Sequence, residues 1–169
     1  MEVYEAIRTI LAVRQYTEKP IPDDAVERIL EAGRLTASAS NKQRWHFIVV
    51  RERETLQRLS TVTPYGAYTA DAALAIVVAV EQGAFGISDG SLAVHSMMLT
   101  AWGEGIGSNW VGFAGHLGEV NALLDIPEGW DALAIVPFGY PATAVGQGKK
   151  NRKSLTEITS SERFGQPLS

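Results

Sequence analysis

Residues 91–103 read SLAVHSMMLTAWG, with apolar side chains on nearly every side of the helix that they predict. This pattern is typical of a central helix that packs against the rest of the protein on all its faces. Gly105 and Gly107 follow at once and predict the end of the helix. We therefore expect the core to form around this segment.

Short apolar runs on both sides of the central helix predict β-strands. Residues 46–50 and 74–80 predict buried strands, and a third extended segment is expected to begin at Trp110. Residues 133–138 predict a fourth strand. No repeat or linker divides the chain, so its 169 residues predict a single domain.

Amphipathic patterns predict the remaining helices. One begins near Val3 and frays before the extended stretch 15–22. A second follows Asp23 and Asp24, which we expect to cap its N-terminus and match its dipole. Its apolar stripe comprises Val26, Ile29, Leu30 and Gly33. Two short helices are predicted at 52–60 and 119–124.

Composition narrows the classes of function. The chain has no cysteine, which excludes disulfides, thiolate nucleophiles and cysteine-held metal centres, so redox chemistry would require a cofactor. Fifteen Lys and Arg against 19 Asp and Glu give a net charge of −4, which disfavours nucleic acid as a partner. The longest apolar run, 72–80, is too short to cross a membrane, and the N-terminus does not resemble a secretory signal. We expect a soluble, cytoplasmic protein.

Two glycine patterns resemble known motifs in the wrong context. Residues 86–90, GISDG, match the elbow of a serine hydrolase, but that motif needs a strand before the serine, and we favour a loop with a helix cap. Gly103, Gly105 and Gly107 follow a helix, which reverses the order of a dinucleotide-binding fingerprint. We interpret these three glycines as a helix stop that lets a flat ligand approach the backbone.

The histidines and one group of basic residues are candidate ligand-binding groups. The three histidines show no metal-ligand spacing, so we assign no metal; they are His46, His95 and His116. Four cations cluster in a glycine-flanked segment near the C-terminus, where they predict either a solvated run or a phosphate clamp. They are Lys149, Lys150, Arg152 and Lys153.

Five blocks follow one another along most of the chain. They are VRQY at 13–16, ASASNKQRW at 37–45, the helix and glycine turn at 97–110, GYP at 139–141 and KNRK at 150–153. In this order they resemble the FMN-dependent nitroreductase family in its short single-domain form. The most specific match is the second block, which resembles the family's Pro-Ser-x-x-Asn-x-Gln-Pro-Trp loop.

The resemblance implies an α+β fold with a central, mostly antiparallel β-sheet flanked by helices. It also implies a homodimer with FMN in two clefts at the subunit interface, and a C-terminal arm at 146–169 that crosses this interface. NAD(P)H would be the electron donor, and a nitroaromatic, quinone or similar small molecule the acceptor. No acid–base pair is required for this chemistry, and we assign no catalytic residue.

Site residues are carried over by position. Arg14, Lys150 and Arg152 would bind the phosphate and ribityl chain, and Gly112 would present its backbone near the reactive nitrogen. Residues of the 37–43 loop would edge the ring of the flavin in the other subunit. These cofactor-site residues are Ala37, Ser38, Ala39, Asn41 and Gln43.

Two departures from the family pattern keep other functions open. Ile10 and Ala12 replace the usual phosphate-binding arginine and serine, and losing one or two bonds of about 1.5–3 kcal/mol would weaken FMN binding roughly 10- to 10⁴-fold. Arg44 replaces a proline, and it either loosens the loop or supplies a cation near the cofactor. The alternatives are a non-enzymatic relative that binds FMN poorly or takes another phosphorylated ligand, and a hydrolase centred on Ser88.

Overall fold

Four strands form one antiparallel sheet in the computed structural model, which describes residues 1–145 and 150–168. The strands are β1 (Trp45–Val50), β2 (Leu74–Glu81), β3 (Gly107–Ser108) and β4 (Trp130–Gly139), in the order β1-β2-β4-β3. The helices are α1 (Val3–Thr9), α2 (Asp23–Arg34), α3 (Arg53–Thr61), α4 (Ala84–Gly103), α5 (Gly118–Leu123) and α6 (Leu155–Ile158). The predicted α+β class and its mostly antiparallel sheet are confirmed.

The two central strands, β2 and β4, separate two apolar clusters. Successive side chains of a strand point to opposite faces, so Ile76 and Val78 pack with α2 and α4 while Ala75 and Val77 pack with α3 and α5. Both faces are covered, which explains why 74–80 is apolar without alternation. Each large side chain buried here contributes about 1.5–3 kcal/mol.

Helix α4 crosses the sheet at close range and is longer than predicted. Its first turns contain Gly86 and Gly90, and a Cβ on Gly90 would lie 2.5 Å from a methyl carbon of Val80. The motif at 86–90 therefore lies inside a helix, so the expected loop with a helix cap is wrong and the geometry of a hydrolase elbow is not present. Ser88 is exposed on this helix.

The predicted burial of α4 and β1 is wrong in part. Phe85 and Leu92 of α4 are 64% and 52% exposed, so one side of this helix is open in the single chain. Among the described residues, strand β1 lies at the edge of the sheet, and only Val50 of its six residues is buried. Its apolar composition resembles that of a buried strand because both of its faces contact apolar clusters, through Trp45 and Phe47 on one side and Ile48 and Val50 on the other.

Two boundaries also differ from the prediction. Helix α2 begins at Asp23 with Pro22 at the N-cap, so Asp23 and Asp24 lie in the first turn, where they still match the helix dipole. The predicted stripe of α2 lies on the core side as expected. The third strand of the sheet is Gly107–Ser108, which lies before Trp110 and pairs with the end of β4. Val111 makes a single bridge with Ile135 of β4, so the extended segment predicted at Trp110 contributes one pairing and not a strand.

Candidate functional site

Arg14 is presented by an extended segment that backbone hydrogen bonds fix to the end of the sheet. The Val13 N–H donates to the Ser108 carbonyl at 2.9 Å, and the Thr17 N–H donates to the Tyr140 carbonyl at 2.8 Å. Val13 is buried, so the alternation of the extended backbone directs Arg14 outwards. The position of Arg14 is thus set by the sheet and not by helix α1.

The surroundings of Arg14 include aromatic and amide groups that sequence analysis missed. The guanidinium carbon lies 5.9 Å from the centre of the Tyr68 ring, and the Asn109 side chain donates a hydrogen bond to the Tyr68 hydroxyl. Arg14 and Arg53 line a polar cavity of about 620 Å³. No motif marks Tyr68 or Asn109, because they meet only when the 3₁₀ turn Ala67–Asp71 packs beside the end of β3.

Tyr16 closes the base of this region. Burial raises the pKa of its phenol well above the ordinary value for tyrosine, so the hydroxyl stays protonated. It donates to the Val13 carbonyl at 2.7 Å. This hydrogen bond stiffens the segment that carries Arg14.

One cation of the C-terminal arm, Lys150, contacts helix α1. The Lys150 ammonium donates to the carbonyl of Ile7, and Arg152 donates to the Asn151 carbonyl at 3.0 Å. Partial burial, followed by the nearby charge of Arg152, lowers the pKa of Lys150. Lys149 lies outside the described residues, so the predicted four-cation cluster is described only in part.

Carboxylates do not neutralise these cations. Within residues 1–145 and 150–168, no Asp or Glu lies within ion-pair distance of Arg14, Lys150 or Arg152, whereas Arg28 pairs with both Asp24 and Glu104. Two uncompensated charges that repel each other, as Lys150 and Arg152 do, are stabilised by a bound anion. Arg14 shares no hydrogen-bond partner with Lys150 or Arg152 among the described residues, so their convergence on one ligand stays a prediction.

The two positions that depart from the family pattern, Ile10 and Ala12, carry apolar side chains. Ile10 is the C-cap of α1, and its N–H donates a hydrogen bond to the Ala6 carbonyl at 2.9 Å. Ala12 is exposed and pairs through its backbone with Ser108. Neither side chain can donate a hydrogen bond to a phosphate.

Gly112 has the backbone that its predicted role requires. Its φ is +76°, a conformation that favours glycine, and a Cβ there would lie 2.5 Å from a methyl carbon of Leu117. Its carbonyl accepts the Trp110 indole N–H at 2.7 Å. Because this hydrogen bond engages the carbonyl, the role predicted for Gly112 falls to its N–H.

The 37–43 loop is tied to the core through Asp89. The Ala39 N–H donates to Asp89 Oδ1 at 3.0 Å, and the Ser38 hydroxyl oxygen accepts the Gln43 N–H at 2.9 Å. Asn41 is exposed beside them and its carbonyl accepts the Gln43 side-chain amide. Sequence analysis missed Asp89, although it is the only Asp, Glu, Lys or Arg between Glu81 and Glu104.

The described parts of the chain contain neither a candidate metal site nor a candidate membrane span. No group of three His, Cys, Asp or Glu side chains there could hold a metal ion. Among the same residues, none of the helices combines the length and apolar character needed to cross a bilayer.

Comparison with known proteins gives one consistent result. The model of the Nitroreductase family matches residues 8–89 and 65–140. A protein of Methanothermobacter thermautotrophicus named "Putative NADH dehydrogenase/NAD(P)H nitroreductase" is 35% identical over 154 residues, which cover 86% of this chain and 81% of that protein.

Two solved structures share the fold. An FMN-dependent nitroreductase of Clostridium difficile R20291 superposes with a TM-score of 0.88 at 22% identity, covering 95% of this chain and 99% of that one. The NADPH:FMN oxidoreductase of Vibrio harveyi, solved with NAD+, superposes with a TM-score of 0.86 at 22% identity, covering 99% and 79%. At this level of identity the two structures establish a common fold.

Proposed function

The chain belongs to the Nitroreductase family, and from this premise we propose that it is a flavin-dependent oxidoreductase that uses FMN and NAD(P)H. The acceptor would be a nitroaromatic, a quinone or a similar small molecule. Bound FMN would supply the redox chemistry, since it accepts hydride from a nicotinamide and reduces an acceptor in a second step. A nicotinamide donor also fits the cytoplasmic location expected from the sequence.

The observation that carries the proposal is the set of uncompensated cations, Arg14, Lys150 and Arg152. A dianionic phosphate requires positive charge. In the described structure five arginines are paired with carboxylates, namely Arg8, Arg28, Arg34, Arg44 and Arg51. Among the described residues Arg53, Arg58 and Arg163 are unpaired as well, but they lie outside the five sequence blocks. Lys150 and Arg152 would hold the phosphate end of the cofactor. Arg14 would bind further along it, where the sheet fixes its backbone.

Backbone and loop residues would act on the ring. The Gly112 N–H would donate a hydrogen bond near the reactive nitrogen. Glycine, which the φ of +76° favours, has no side chain that would block the approach. Ala37, Ser38, Ala39, Asn41 and Gln43 would edge the ring of the flavin in the other subunit. None of these residues has to transfer a proton, which agrees with the absence of an assigned catalytic residue.

The relatives named above support the same assignment. One carries NAD(P)H nitroreductase in its name, one is an FMN-dependent nitroreductase, and one is an NADPH:FMN oxidoreductase. The experiment is an absorbance spectrum of the freshly purified protein, followed by titration with FMN and assay of NAD(P)H oxidation with a quinone. A flavin band, or saturable binding with turnover, is expected. No FMN binding at tens of micromolar would contradict the proposal.

A second candidate function rests on Ile10 and Ala12. Because neither side chain can contact a phosphate, the chain would be a catalytically weak or non-enzymatic relative that binds FMN poorly or binds another phosphorylated ligand in the same cleft. The titration separates the two candidates. Binding without turnover, or displacement of FMN by a different phosphorylated compound, would favour this second function.

A homodimer would complete each cleft. Phe85, Leu92 and Leu99 of α4 are spaced by seven residues and form an apolar seam, in which Phe85 and Leu92 are exposed and Leu99 is half-buried in the single chain. The exposed side chains Val3, Tyr4 and Ile7 of α1 add to this surface. A second copy is the occupant that we propose, since the arm at 146–169 would then reach across the interface of two single-domain subunits.

A further inference from the structure

The 37–43 loop has an unfavourable backbone that something must stabilise. Ser40, Asn41 and Gln43 have φ values of 53°, 53° and 52°, in the left-handed region that side chains disfavour. This conformation is unfavourable for residues with a Cβ, so three such residues within four positions persist only when neighbouring groups hold them. Ser40 and Asn41 are themselves exposed, so the stabilising contacts come from the two ends of the loop.

Asp89 fixes the first end of the loop. It lies in α4, is 3% exposed, and accepts the Ala39 N–H through Oδ1 at 3.0 Å. Its second oxygen, Oδ2, is buried and accepts no hydrogen bond. A buried carboxylate that lacks partners requires a nearby positive charge, because desolvation penalises the ionised group.

Arg44 supplies that charge from the other end of the loop. Its Nη1 lies 3.5 Å from Asp89 Oδ2, and its Nε lies 3.4 Å from Glu81 Oε2. The same Nη1 is 3.4 Å from the Ala39 carbonyl, so Arg44 and Asp89 both contact the backbone of Ala39. The guanidinium also lies 5.5 Å from the centre of the Phe85 ring.

The Arg44 side chain is occupied by contacts within its own chain. It is 22% exposed, and it contacts two carboxylates, one carbonyl and one ring. These contacts join the loop to α4 and to the end of β2.

We propose that Arg44 is a positioning residue that, together with Asp89, locks the 37–43 loop into its left-handed conformation. The consequence for catalysis rests on the proposed function, in which this loop edges the flavin ring. Arg44 would act on the cofactor only through the shape of the loop. The cation over Phe85 would also link the loop to the open end of the α4 seam.

The test measures the loop directly and without any ligand. A lysine-specific protease cuts after Lys42, which is exposed within the loop, and mass spectrometry follows the initial cleavage of the bond to Gln43. The variants are Arg44→Met, which keeps the length but removes the charge, and Asp89→Asn, which keeps the acceptor for Ala39. The matched control is Arg51→Met, because Arg51 forms an exposed ion pair with Asp23 away from the loop.

We expect cleavage after Lys42 to be about tenfold faster in Arg44→Met and Asp89→Asn than in the wild type, and unchanged in Arg51→Met. Arg44→Lys should restore much of the protection, because it keeps a cation beside Asp89. Thermal melts establish that each variant is folded. Equal cleavage in Arg44→Met and the wild type, or equal acceleration in the Arg51→Met control, would overturn the proposal.

FMN titration of the same variants tests the link to the cofactor. We expect Arg44→Met to bind FMN about tenfold more weakly, with partial recovery in Arg44→Lys. Weaker FMN binding with unchanged cleavage would show that Arg44 contacts the ligand directly and would overturn the positioning role. If the wild type binds no FMN, the proposed function fails, whereas the cleavage rates still decide whether Arg44 and Asp89 hold the loop.

Discussion

Arg152 is exposed on the C-terminal arm, and its Nη1 donates to the backbone carbonyl of its own neighbour, Asn151. A side chain in this position buries little apolar surface. No carboxylate of residues 1–145 and 150–168 pairs with its charge, and the neighbouring Lys150 has a pKa that is lowered first by partial burial and then by Arg152. In the proposed function Arg152 contributes to cofactor binding and hardly to folding, so the two effects can be measured separately.

Arg152→Ala should weaken FMN binding without destabilising the fold. Loss of one charge-assisted hydrogen bond of about 1.5–3 kcal/mol corresponds to roughly a 10- to 150-fold higher dissociation constant. Quenching of flavin fluorescence gives the affinity, and urea unfolding gives the stability. Arg163→Ala is the control, since Arg163 is also exposed on the arm. Equal affinity in Arg152→Ala and the wild type would contradict the assignment.

Ile10 and Ala12 permit the reciprocal test. The double variant Ile10→Arg with Ala12→Ser should tighten FMN binding by about tenfold or more, because it restores donors at the end of α1 near the carbonyl that Lys150 contacts. Ala12 is exposed, so the added hydroxyl displaces no core atom. Isothermal titration measures the change. Unchanged affinity would place the phosphate elsewhere and favour the non-enzymatic alternative.

At the scale of the elements, α4 shows how a sequence pattern can suggest the wrong explanation. The glycines of GISDG resemble a catalytic motif, but Gly86 and Gly90 lie four residues apart, on the side of the helix that contacts the sheet. A Cβ on Gly86 would lie 2.0 Å from the Glu81 carbonyl oxygen. Close packing between a helix and a sheet therefore explains both glycines without any reaction.

Gly90→Ala should destabilise the protein by about 1–3 kcal/mol, because the new methyl group would overlap Val80 and Leu133, at 2.5 and 2.8 Å. Gly103→Ala provides the matched control at the end of the same helix, where a Cβ would meet nothing within 4 Å. It should be neutral or stabilise by up to about 1 kcal/mol through helix propensity. Urea denaturation measures both changes. Equal effects of the two substitutions would contradict the packing argument.

At the scale of the whole molecule, five of the exposed large apolar side chains belong to two helices, α1 and α4. Phe85 and Leu92 of α4 and Val3, Tyr4 and Ile7 of α1 are between 45% and 76% exposed. Helices α1 and α4 also contact each other, through the Trp102 indole N–H that donates to the Thr9 hydroxyl at 2.9 Å. An apolar surface built from adjacent elements is typical of an interface between subunits.

Leu92→Asp should dissociate the proposed homodimer. A carboxylate at the middle of the apolar seam would be buried without a partner, which should raise the dimer dissociation constant at least about 100-fold. Sedimentation velocity measures the oligomeric state. Tyr65→Asp serves as the control, because Tyr65 is 83% exposed and lies away from α4 in sequence. A wild-type monomer, or a Leu92→Asp dimer as tight as that of the wild type, would rule out this interface.

Which features could be predicted from the sequence depends on the kind of contact that each sequence pattern reflects. The apolar runs at 74–80 and 133–138 identified the central strands because burial on both faces leaves a continuous hydrophobic stretch. The blocks VRQY and ASASNKQRW located the segments that carry Arg14 and the 37–43 loop. The pattern of α4 predicted burial on all sides, because a sequence does not distinguish an apolar side chain in the core from one on an open face.

Periodicity in the local sequence thus predicted most of the helices and strands, and the resemblance carried by the short blocks predicted the α+β class and the candidate cofactor residues. The tertiary structure alone decided that Arg44 faces Asp89 and Glu81, that Tyr68 and Asn109 lie beside Arg14, and that GISDG packs against the sheet. The contacts of Arg44 and Arg14 join residues that are 37 to 54 positions apart in the sequence. The packing of GISDG depends on which face of α4 contacts the strands. Such pairings arise from how the elements pack, and no local periodicity encodes them.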